Sequence, residues 1–100
     1  MITEEVTEEV GGPKVQLLVG ISESGLTWWF RHAPTAIALS TVRPVDEKFL
    51  PVLRQRFMAV GPMKEPGRGL YTPLEFSLRE LAQIGFCQEH IVAMLCPPMI

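Results

Sequence analysis

The stretch KVQLLVGISESGLTWWFRH, residues 14–32, decides the class of fold. Two β-prone runs flank Ser22-Glu23-Ser24-Gly25, a four-residue connection whose glycine supplies the positive φ that such loops need. The pattern predicts a β-hairpin. In the first run Val15, Leu17 and Val19 alternate with Gln16 and Leu18, and in the second Leu26, Trp28 and Phe30 alternate with Thr27, Trp29 and Arg31. Successive strand side chains point to opposite faces, so Trp28 and Trp29 cannot share one. One tryptophan enters the core and the other does not. A strand face bearing Trp29 beside Arg31 is a candidate protein-binding surface, because these residue types dominate binding hot spots. The competing expectation is that a C-terminal helix covers that face.

Downstream of the hairpin, Ala33-Pro34 interrupts the sheet. TAIALSTVR, residues 35–43, then resumes alternation through Ile37, Leu39 and Thr41 and predicts a third strand, antiparallel to the second. Pro44 ends it, and Asp46 caps the turn into FLPVLRQRFMAVG. Pro51 cannot sit in a helix interior, so this helix begins near Lys48 to Leu50 with the proline in its first turn. Phe49, Val52, Leu53, Phe57 and Val60 form the expected buried stripe, with Arg54 and Arg56 towards the other side. Gly61-Pro62 terminates the helix, and GPMKEPGRG, residues 61–69, reads as a loop. Thr72-Pro73 with Glu75 predicts an N-cap, N1 and capping box. Leu74, Leu78, Leu81 and Ile84 line one face of that helix, and a second helical segment carries Cys87, Ile91, Met94 and Leu95 on its apolar stripe. Residues 13–100 are thus expected to form a single α+β domain: a small antiparallel meander of about three strands packed against a central helix and a C-terminal helical pair.

Upstream, residues 1–12 form an acidic N-terminal arm containing TEEVTEEV. Ile2, Val6 and Val10 fall four apart, giving a helix of this segment one apolar stripe, and Val6 and Val10 are candidate contact residues. Gly11-Gly12-Pro13 ends whatever precedes the first strand.

Charge is arranged in blocks. The net charge of −2 gives no overall pull towards nucleic acid or an anionic membrane. Residues 1–30 carry one positive and five negative charges, residues 31–68 seven and three, and residues 69–100 one and three. Such an acidic, basic, acidic order suits pairing within the chain, or the acidic arm of one copy meeting the basic middle of another. No run approaches the roughly 18 apolar residues that span a bilayer, and the N-terminus lacks the basic flank of a signal peptide. A cytoplasmic protein with no membrane partner is expected. Cys87 and Cys96 lie nine positions apart, about 13 Å along one straight helix, too far for a disulfide.

GFCQEHIVAMLC, residues 85–96, gathers both cysteines and His90. Cys87 and His90 are helical neighbours, but one close pair does not make a structural zinc site, and no oxyanion-binding glycine motif accompanies them. No catalytic residue, cofactor or metal is assigned. SLRELAQIGFCQEHIVAML resembles a helix-turn-helix, although Ala82 and Gly85 are three apart where that motif has four, and its second helix holds no Arg or Lys to grip phosphate. Ile84-Gly85-Phe86 is similar to the Met-Gly-Phe loop of ubiquitin-associated domains, over this short segment only and behind a hairpin that family lacks. Phe86 is expected in the core.

Eight aromatic residues and five methionines in 100 residues favour apolar surface meant for a partner. The expected function is a non-enzymatic protein-interaction or assembly subunit, part of a homo-oligomer or larger complex, a viral or phage particle being one such. Its candidate contact residues are Trp29, Arg31, Arg54, Arg56, Val6 and Val10. The alternative is a small DNA-binding regulator using the C-terminal helix pair and the basic central helix, with nucleic acid the less favoured partner.

Overall fold

The computed structural model describes residues 12–67 and 69–96. The acidic arm, with Val6 and Val10, lies outside the described residues apart from Gly12, as do Pro97 and Pro98. The domain is α+β, with five strands among the described residues rather than about three: β1 (Lys14–Ile21), β2 (Trp28–His32), β3 (Ile37–Thr41), β4 (Met63–Glu65) and β5 (Gly69–Ser77). All pair antiparallel, in the order β3-β2-β1-β5-β4. The meander β1-β2-β3 is as the alternation predicts. The other half of the sheet comes from residues expected to be loop and helix.

Strand β5 is the main correction. Thr72-Pro73-Leu74-Glu75 fits a helix start, yet Leu70, Thr72, Leu74 and Phe76 alternate with Tyr71, Pro73 and Glu75 and pair along the whole of β1. Pro73 is tolerated because β4 reaches only Gly69 to Tyr71, leaving the outer side of residue 73 free of a ladder partner. The capping box exists five residues later. Ser77 Oγ accepts the Glu80 N–H at 3.2 Å and Glu80 Oε1 accepts the Ser77 N–H at 2.9 Å, opening α2 (Leu78–Ile84).

Helix α1 (Phe49–Ala59) holds Pro51 in its first turn. Its buried line is Phe49, Leu53 and Phe57, whereas Val52 and Val60 are exposed. Val52 is turned off that line by the helical rotation, and Val60 is the C-cap beyond the last full turn. Helix α3 (Gln88–Leu95) follows Gly85, whose φ of 134° only glycine adopts readily. Because α3 starts after this break, Cys87 is its exposed N-cap rather than a member of the buried stripe. Met94 is buried there and Ile91 packs against the core, while Leu95 is 36% exposed.

The three helices of the described residues lie on one face of the sheet. Val15, Leu17, Val19, Trp28, Phe30, Leu74 and Phe76 point into that layer and meet Leu53, Phe57, Leu81, Ile84 and Phe86. The rings interlock edge to face, Trp28 on Phe57 at 5.4 Å and Phe30 on Phe76 and Phe86 at 6.4 and 6.3 Å between centroids. Phe86, set down by the Gly85 turn, is buried as expected. Among the described residues no helix is long and apolar enough to cross a membrane.

Candidate functional site

The helices cover one face of the five-stranded sheet, among the described residues nothing covers the other, and strand alternation fixes what that open face shows. The pairings place Ser40, Trp29, Gly20, Tyr71 and Met63 in one row across the open face. Ala38, Arg31, Leu18 and Pro73 make a second row beside it. The C-terminal helices do not cover this side.

Trp29 is the centre of the face. It sits opposite Gly20, and its indole lies directly over that glycine: a Cβ there would fall 2.1 Å from Cε2 and Cζ2. With no side chain beneath it, the ring is held flat and half-buried instead of projecting into solvent. Tyr71, on the other flank of Gly20, brings its ring centroid within 6.4 Å of the indole, tilted by 33°. The Tyr71 hydroxyl donates to Glu65 Oε1 at 2.9 Å, so neighbouring strands fix both aromatics. Met63, 61% exposed, continues the apolar surface on β4.

Beside the indole runs a groove of about 500 Å³ lined by Leu18, Ser22, Glu23, Trp29, Arg31 and Gly67. Its rim is braced, since Glu23 Oε2 accepts the Gly67 N–H at 2.8 Å and so ties the β1–β2 turn to the β4–β5 turn. The exposed Arg31 guanidinium and the Glu23 carboxylate give the groove one donor-rich and one acceptor-rich wall. Such a surface can take apolar contact at its floor and charge-assisted hydrogen bonds at its rim.

Trp29 and Arg31 therefore come together as the alternation predicts. Arg54 and Arg56 do not join them, because α1 lies across the sheet. Arg54 is exposed, but Arg56 does not point to the far side of its helix. Its Nη1 donates to Glu80 Oε1 at 3.0 Å, its Nη2 bonds Glu80 Oε2, and its guanidinium carbon sits 5.8 Å from the Phe49 ring centroid. Arg56 thus ties α1 to the start of α2. Burial alone would raise the Glu80 carboxyl, but hydrogen bonds from Arg56 and the Ser77 N–H, with the charges of Arg56 and Lys14, hold it below its ordinary value.

Three parts of the face escaped the sequence reading. Met63 falls in the loop expected over residues 61–69 and Tyr71 between that loop and the helix start expected at Thr72, although the alternation from Leu70 to Phe76 is a signal for Tyr71. The role of Gly20 depends on its pairing with Trp29, which no local pattern encodes. Elsewhere, His32 is buried at the end of β2, with Nδ1 2.7 Å from Thr35 Oγ1, and desolvation lowers its pKa. Cys87 and His90 are both exposed, and among the described residues no three His, Cys, Asp or Glu side chains gather to hold a metal ion. No family model, no curated protein and no solved structure matches the chain.

Proposed function

We propose that this protein is a non-enzymatic interaction or assembly subunit that engages other protein chains through the open face of its sheet, with Trp29 as anchor and Arg31 at its side. The observation that carries this reading is the seating of Trp29. Gly20 and Tyr71 hold its indole flat on a face that no element among the described residues covers, so little ordering entropy is lost when a partner lands on it. Aromatic, methionine and arginine side chains are the residues enriched in protein interfaces, and Trp29, Tyr71, Met63 and Arg31 supply all three kinds. The groove is apolar at its floor and charged at its rim, the anatomy of an interface patch.

The test is site-specific photocrosslinking in cells that express the chain naturally. A photoreactive residue at position 31 should give adducts of discrete mass that disappear with Trp29→Ala, while the same probe at position 54 should not. Equal adducts from both positions, untouched by Trp29→Ala, would overturn the reading.

A further inference from the structure

The two edges of the sheet are built differently. Strand β4 is three residues long, carries Lys64 and Glu65, and is bracketed by Pro62 and Pro66, all features that discourage a further strand from pairing. Strand β3 has none of them. Its five residues, Ile37-Ala38-Leu39-Ser40-Thr41, hold no charge and no proline, and among the described residues no strand pairs with its outer side. An uncovered antiparallel edge presents alternate N–H and C=O groups ready for another strand.

From this contrast we infer that β3 pairs antiparallel with β3 of a second copy, joining two sheets into one of ten strands about a two-fold axis at Leu39. The sequence of β3 is complementary to itself in that register. Leu39 meets Leu39, Ile37 meets Thr41 and Ala38 meets Ser40, so the β-branched and apolar residues stay on the helix side and the small residues on the open side. No like charges are brought together. On the helix side Ile37 and Leu39 are only partly buried at the margin of the core, and a second β3 would complete their cover. Val42, directly after the strand, and Val45, three residues further on, are 66% and 77% exposed and widen the apolar contact. The inference rests on the assembly reading and names its partner as this same chain, and it makes the two open faces continuous across the joint. Five residues per strand bury less than the roughly 1,200–2,000 Å² of a standard interface, so the pairing is a concentration-dependent equilibrium.

Ala38 and Ser40 are exposed, so charges placed there test the register without disturbing the core. In Ala38→Glu/Ser40→Glu, each joint sets two pairs of carboxylates opposite one another, whereas in Ala38→Glu/Ser40→Lys each glutamate meets a lysine. In both variants residue 38 stays opposite Arg31 of its own chain, which keeps that pairing favourable. Sedimentation velocity on the purified chain, from low micromolar to submillimolar, should show a monomer–dimer equilibrium. It should weaken by about tenfold or more in the Glu/Glu variant and persist in the Glu/Lys variant, with unchanged circular dichroism in both. A wild-type monomer throughout that range overturns the pairing and leaves the open-face reading to its own crosslinking test. A dimer equally stable in both variants also overturns it, and if Trp29→Ala dissolves that dimer the assembly reading stands through the open face instead.

Discussion

The indole of Trp29 rests on the bare backbone of Gly20, its opposite number across the β1–β2 pair. The contact fixes the larger of the two aromatics, Trp29 and Tyr71, that the sheet turns away from its core, and so links backbone pairing to the proposed binding surface.

Any side chain at residue 20 must therefore displace the ring. Gly20→Ala places a methyl group 2.1 Å from two indole carbons, and overpacking of this kind costs about 1–3 kcal/mol. The expected result is a lower denaturation midpoint and red-shifted tryptophan emission as Trp29 swings into water. In a Trp29→Ala background the same substitution should cost almost nothing, because the clash has gone. A full cost in both backgrounds would show that Gly20 is needed for its backbone and not for the ring.

The Arg56–Glu80 pair should govern acid stability in its own pH window. The folded Glu80 carboxyl lies below its unfolded value of 4.5, so its contribution is complete above pH 4.5 and is lost as pH falls through the lower, folded value. Arg56→Ala and Glu80→Gln should each cost about 1–2 kcal/mol at neutral pH, a figure kept modest because Arg56 is 38% exposed. Urea titrations at pH 7 and pH 3 check this. The difference between wild type and Glu80→Gln should shrink at the lower pH.

The class of fold and half of the candidate site were legible because they depend on local rules. Alternation separated Trp28 from Trp29, and Pro51 marked the first turn of α1. Strand β5 carries two competing local signals, its alternation from Leu70 to Phe76 and the helix-start pattern of Thr72-Pro73 and Glu75, which Ser77 and Glu80 satisfy in fact. What decides between them is pairing with β1, more than fifty residues earlier, and with it came Tyr71 and Met63 on the open face. Phase was the other failure. One break at Gly85 starts α3 afresh, and Cys87 moves from the stripe to an exposed cap.

His32 should add a second acid transition, at higher pH. Desolvation lowers its folded pKa below the unfolded 6.5, so the neutral ring's stability is fully present above pH 6.5 and declines as pH falls through the folded value. His32→Asn removes this titration. A stability profile between pH 7.5 and pH 5 should slope downward for wild type and flatten in the variant. Identical slopes would place the loss in other groups.

Cys87 gives the most direct test of the helical phase. A thiol on the buried stripe with Ile91 would resist a thiol reagent until the protein unfolds, whereas an exposed N-cap reacts in the native state. In Cys96→Ser, which leaves Cys87 as the only thiol, one equivalent of Ellman's reagent should react without denaturant. The rate should be within about tenfold of that in urea, since no burial has to be undone first. Protection by orders of magnitude would return Cys87 to the core and shift the start of α3 by part of a turn.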